Sequence, residues 1–183
     1  MMKRNFELAR QKYKPEVIKF LLIAEAPPKV ESKRFFYFED VKNGDSLFLE
    51  TMKVLYLNDC LDIKDVRRRK SEFLEKFKND GFYLIDASDK PIEDTRLTKK
   101  RKQIKDSIPS LIKKIESLIS EDTKIILISS TVYEVCCNRL KAEGFNVINE
   151  CAIPFPISWQ KEFRRKLFTL LKRYGWRAPY NPA

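Results

Sequence analysis

LLIAEAPPKV, residues 21–30, opens as an apolar run, passes a glutamate set between two alanines and halts at two prolines. Residues 16–26, EVIKFLLIAEA, are apolar and partly β-branched, and the Pro-Pro stop cuts them too short for a typical helix. They read as a strand. A strand with so few polar residues belongs in a parallel sheet covered on both faces. This one ends on a carboxylate, Glu25, and that ending poses the functional question.

Three other segments follow the same pattern. GFYLIDA (81–87) is apolar and also ends on a carboxylate, Asp86. KIILISS (124–130) is the third strand and FNVINE (145–150) the fourth. Helices are expected between them. Residues 4–14 form a short helix closed by Pro15. A second helix is capped by Asp45 or Ser46, with Leu47, Phe48, Met52, Leu55 and Tyr56 on one face. Residues 63–79 form a third. Residues 107–120 form a fourth, with Ile108, Leu111, Ile112, Ile115, Leu118 and Ile119 at helical spacing and Pro109 near the start. Thr131 and Glu134 read as a capping box opening a helix to about 143, stopped by Gly144. Ser158 caps a last helix bearing Phe163, Leu167, Leu170, Leu171 and Tyr174. Alternation of strand and helix gives an α/β class, expected as a three-layer α/β/α sandwich around a central four-stranded parallel sheet. Residues 1–175 are expected to form one domain and 176–183 a C-terminal tail.

At 183 residues the chain can bury about 70% of its unfolded surface and needs no staple. Its net charge of +11 favours polyanions, nucleic acid ahead of an acidic membrane, against the plainer reading of a lysine-rich solvated surface. The four cysteines, Cys60, Cys136, Cys137 and Cys151, form no C-x-x-C pair, so reduced and mostly buried thiols in a cytoplasmic protein are expected. No apolar run approaches ~18 residues, so no membrane span is expected. The chain has no histidine. That excludes Ser-His-Asp and Cys-His catalysis and almost every common zinc site, and no metal or cofactor is expected. Oligomeric state is not indicated.

In open parallel sheets ligands sit beyond the carboxyl ends of the strands. Those ends here are Glu25-Ala26-Pro27-Pro28, Asp86-Ala87-Ser88, Ser129-Ser130 and the 151–158 loop. Four features at these positions together resemble the uracil-DNA glycosylase superfamily, in matching order over residues 17 to about 172. AEAPP (24–28) is similar to the first active-site motif in its Gly-Glu-Ala-Pro-Gly variant. The aromatics of FFYF (35–38) follow where that family places the ring that stacks on an extruded base, which suggests Phe36 or Phe38, with Phe38 favoured by its distance from Ala26. GFYLIDAS (81–88) resembles the strand that ends in a base-reading asparagine, with Asp86 in that place. IPFPIS (153–158) resembles the His-Pro-Ser-Pro-Leu-Ser loop that enters the minor groove. Pro154, Pro156 and Ser158 match outright, and Ile157 stands for the leucine wedge.

The resemblance implies a divergent uracil-DNA glycosylase-like protein acting on DNA, with Ala26, Pro154 and Ser158 beside the base. The departures bear on chemistry. Ala24 replaces the motif glycine, Ala26 the aspartate that activates water, and Ile153 the histidine that donates to the leaving base. The cysteine spacing of the iron–sulfur branch is absent. Glu25 is the remaining carboxylate for an oxocarbenium-like state; it either faces the sugar or braces the strand end. Asp86 either reads a base, accepting from an amino group, or caps the turn after its strand. Among the basic runs, Arg164 and Arg165 lead as phosphate contacts, followed by Lys99, Lys100, Arg101 and Lys102. Activity is left open: base excision by N-glycosidic hydrolysis, base or nucleic-acid binding without chemistry, or a small-molecule site.

Overall fold

The structure is a computed structural model and describes residues 6–32, 34–56 and 62–177. These carry three strands, β1 (Phe20–Ala24), β2 (Phe82–Asp86) and β3 (Lys124–Leu127), in a parallel sheet ordered β2-β1-β3. Seven helices accompany them: α1 (Phe6–Lys12), α2 (Ser46–Tyr56), α3 (Ile63–Arg68), α4 (Lys70–Asn79), α5 (Leu97–Glu116), α6 (Ser130–Ala142) and α7 (Gln160–Arg173). The class is mixed α/β.

β1 lies in the middle of the sheet and every residue in it is buried. It runs in register with Phe20 opposite Phe82 and Ala24 opposite Asp86, and the two phenylalanine rings stack at 4.9 Å. Pairing continues past the strand ends. The Ala87 N–H donates to the Ala24 carbonyl at 2.8 Å and the Ser88 N–H to the Glu25 carbonyl at 3.0 Å. Glu25 and Asp86 are therefore carried on neighbouring, backbone-locked strand ends.

The segment expected as a fourth strand, 145–150, makes one isolated parallel bridge, Val147 to Ile125, and the loop after it adds a second, Ile153 to Ile128. Between them the Asn149 side chain takes over the pairing. Its Oδ1 accepts from the Leu127 N–H at 2.7 Å and its Nδ2 donates to the Leu127 carbonyl at 3.0 Å. The opposite edge is closed the same way. The Tyr37 hydroxyl accepts from the Leu84 N–H at 2.7 Å and donates to the Leu84 carbonyl at 3.2 Å. Buried backbone polar groups require partners, and here one side chain on each edge supplies them.

Other boundaries differ from expectation. The helix expected over 63–79 breaks at Arg69 into α3 and α4. α5 begins ten residues before the expected 107, absorbs the basic run and carries Pro109 in its interior. Proline removes one helical hydrogen bond, but the buried stripe Ile104, Ile108, Leu111 and Ile115 spans the gap and keeps the helix continuous. Ser129, not Thr131, caps α6: its Oγ accepts from the Val132 N–H at 3.1 Å, and Glu134 pairs with Arg101 instead. Ser129 has φ 90°, a conformation costing about 1–3 kcal/mol for a non-glycine residue. The cap and a 2.9 Å bond from its N–H to the Ile153 carbonyl offset this. Ser158 caps nothing, because α7 starts at Gln160 with no side-chain cap. Cys136 and Cys137 are buried and Cys151 is exposed; Cys60 lies outside the described residues. Trp176, at the start of the expected tail, stands edge-on to Phe82 at 4.8 Å, and residues 178–183 lie outside the described residues. No helix among the described residues is long and apolar enough to cross a membrane.

Candidate functional site

A cavity of about 430 Å³ opens beyond the carboxyl ends of β1 and β2. Glu25 and Ala26 line it from β1 and Asp86 from β2. Arg34, Phe36 and Asp45 come from the long connection after β1, Lys100 from α5, and Phe155, Ile157, Ser158 and Trp159 from the loop before α7. Both strand-end carboxylates thus meet in one cleft.

Glu25 keeps 18% of its side-chain surface in contact with solvent and forms an ion pair with Lys100 Nζ at 2.7 Å. Of the run Lys99–Lys102, Lys100 alone lines this cleft. Arg101 pairs with Glu134, Lys102 pairs with Asp106, and Lys99 and Lys102 border a separate polar groove along α5.

Asp86 is buried at the cleft floor, 4% exposed. Its Oδ2 accepts from Arg10 Nη2 at 2.7 Å, and Arg10 is itself bonded to Glu7 and lies over the Phe35 ring. Burial pushes the Asp86 carboxyl up to about 6, and the Arg10 and Lys114 charges only partly oppose that rise. Capping of the following turn, the alternative role, falls to Ser88, whose hydroxyl donates to the Lys90 carbonyl.

The aromatic expectation needs correction. Phe38 does not reach the cleft: it is 7% exposed, stacks on Phe6 at 5.4 Å and meets Phe35 edge-on. Alternation along FFYF sends no ring outward, because Phe35, Phe36, Tyr37 and Phe38 all fill a core under α1 and α2. Phe36 borders the cleft, but it is 5% exposed and wedged between Phe48 and Phe77. The phosphate candidates on α7 are also engaged. Arg164 reaches across to Glu50 of α2, and Arg165 forms a bidentate pair with Glu162 one turn away. Pro154 stiffens the approach to the cleft without lining it, and Ile153, in the place of the donor histidine, is buried against β3.

Two residues that the sequence did not single out border the cleft. Trp159 is 65% exposed. A lone tryptophan after a proline loop carries no periodic signal, so nothing in the chain marks it. Arg34 is exposed, makes no ion pair among the described residues and drapes over Gly44. Gly44 has φ +72°, a conformation that favours glycine, and a Cβ there would fall 2.7 Å from Arg34 Cδ and push that side chain aside. Among the described residues no group of histidine, cysteine, aspartate and glutamate is placed to hold a metal ion. The arrangement offers two anchored carboxylates, one available guanidinium and an apolar wall. Compared with protein-family models and with curated proteins, the chain matches none.

Proposed function

We propose that this is a divergent uracil-DNA glycosylase-like protein that takes an unpaired base of a nucleic acid into the cleft beyond β1 and β2. There it hydrolyses the N-glycosidic bond. The observation that carries this reading is the convergence of Glu25 and Asp86 on one open cleft with aromatic walls. In the reaction the C1′–N bond breaks and its electron pair leaves with the base. Water then adds to the sugar cation and gives up a proton. In this reading Glu25, held by its ion pair with Lys100, stabilises the cation or receives that proton. Asp86 reads the base edge. A carboxylate accepts hydrogen bonds and donates none, so it suits an exocyclic amine and disfavours uracil. With no histidine in the chain, the departing base is met by Ser158, by backbone N–H groups or by Arg34. Loss of one such donor typically costs ~10²–10³ in rate, so turnover is slow.

A second reading, binding without chemistry, is favoured by one observation: the Lys100 ion pair occupies a Glu25 oxygen that the reaction would use. One assay separates the two. Single- and double-stranded DNAs carrying one uracil, hypoxanthine, xanthine or modified cytosine are incubated with the protein, treated with alkali and scored for strand breaks and for gel shift. Breaks that disappear in Glu25→Ala establish the glycosylase. Salt-sensitive shifts without breaks establish the binding protein. Neither breaks nor shifts refute both.

A further inference from the structure

The loop before α7 holds a ring that the reading above leaves unused. Trp159 and Ile157 are 65% and 68% exposed, and both stand at the cleft. The backbone beneath them is braced. The Ile157 N–H donates to the Phe155 carbonyl at 3.0 Å, Gln160 Nε2 donates to the Ile157 carbonyl at 2.7 Å, and the Trp159 carbonyl accepts from the Phe163 N–H at 2.8 Å. Two large apolar side chains are therefore held in water on a framed loop, although apolar surface gains free energy by leaving water. Of the other rings around the cleft, Phe35, Phe36 and Phe48 are committed to the core at 2%, 5% and 0% exposed, and Phe155 is partly buried against it. Trp159 is the most exposed ring bordering the cleft.

We propose that Trp159 is the stacking platform for a base of single-stranded nucleic acid, seated at the mouth of the cleft with Ile157 beside it. This rests on the nucleic-acid reading above and extends it to a strand state and a residue. Charge selects the occupant. Arg34 borders the same cleft without an ion pair among the described residues, and Lys161 lies exposed in the first turn of α7. With a net charge of +11, a polyanion fits this face better than a second copy of an equally basic chain. Every base has a π-face, so a ring that stacks does so with little regard to sequence.

Indole emission reads this contact directly, because stacking on a base quenches it. The chain has two tryptophans, and Trp176 lies at the opposite end of the sheet beside Val17 and Lys19. A Trp176→Phe variant, or the difference between wild-type and Trp159→Phe spectra where that variant fails to fold, isolates Trp159. It is titrated at low salt with a short oligothymidylate and with inorganic polyphosphate, which has charge but no bases. The oligonucleotide is expected to quench Trp159, and polyphosphate to bind without quenching. Trp159→Ala should weaken oligonucleotide binding about tenfold while leaving polyphosphate binding unchanged. Oligonucleotide binding without quenching, at full affinity in Trp159→Ala, overturns the stacking role and leaves the nucleic-acid reading standing. No oligonucleotide binding by the wild type overturns both. Emission that changes with protein concentration alone assigns the face to self-association and overturns the stacking role.

Discussion

Asp86 ties stability to pH through one buried carboxyl. Its carboxyl is pushed up to about 6 from an ordinary 3.8 because burial outweighs the Arg10 charge. A raised acid binds its proton more tightly in the folded protein. Its contribution to stability is therefore full below pH 3.8 and is lost as pH rises through 6. Urea midpoints of the wild type minus those of Asp86→Asn are expected to fall across that window and flatten above it; a flat difference throughout contradicts the assignment. If the cleft takes a base as proposed, the protonated group below pH 6 donates and tolerates uracil and the carboxylate above it prefers an amino-bearing base, and competition between free uracil and cytosine across that pH range is expected to show the change. Lys70 behaves in the mirror sense. Buried over the Phe48 ring at 4.2 Å and 3.6 Å from Asp45, it is lowered to about 8 from 10.5. Between pH 8 and pH 10.5 the folded lysine has lost the proton that the unfolded one keeps, so stability should rise across that window and level off above it, and Lys70→Met should abolish that rise. Glu25 and Asp86 were legible as strand-end carboxylates because apolar runs ended on them. Their partners were not, since Arg10 and Lys100 lie on helices 76 and 75 positions away, and no local pattern couples them.

At the scale of elements, the sheet has three strands because a side chain finishes each edge. Tyr37 satisfies both backbone groups of Leu84, and Asn149 both of Leu127. Removing either leaves a buried N–H and C=O without a partner, at about 1–3 kcal/mol each before water enters. Tyr37→Phe and Asn149→Ala are each expected to lower the stability measured by denaturant unfolding by about 2 kcal/mol or more. An effect below about 0.5 kcal/mol would mean that water or the main chain takes over. This also explains the boundary errors. Apolar runs marked β1, β2 and β3 correctly, since burial on both faces leaves a continuous apolar signature. FNVINE carries the same signature, yet at Asn149 pairing passes from main chain to side chain, which composition does not encode. The basic run in the first half of α5 masked a helix whose buried face is only Ile104 and Ile108 at that end. The aromatic run misled for the opposite reason. An alternation rule assumes an extended strand, and residues 35–38 form a turn, with the Phe38 N–H bonded to the Phe35 carbonyl at 3.1 Å.

For the whole molecule, the excess of 37 lysines and arginines over 26 acids was legible, but not which cations are available to a ligand. The runs named as phosphate contacts are largely spent internally: Arg101 on Glu134, Lys102 on Asp106, Arg164 on Glu50, Arg165 on Glu162. Lys102 and Arg165 pair with acids four and three residues away on their own helices, and Arg101 and Arg164 reach acids on other helices. If all these runs gripped phosphates, the affinity would collapse steeply with salt. If instead the grip comes from cations near the cleft that lack ion pairs among the described residues, such as Arg34 and Lys161, three or four contacts on a single strand give a slope of log affinity against log salt of only about −2 to −3. Arg34→Ala should make that slope shallower by a little under about 1 and weaken all sequences alike. Arg165→Ala, which frees Glu162 instead of removing an available cation, should leave the slope unchanged. A slope steeper than about −5 in the wild type, reduced by Arg165→Ala and not by Arg34→Ala, would move the interface away from the cleft onto α7. The carboxylates at the strand ends would then have no nucleic acid to act on.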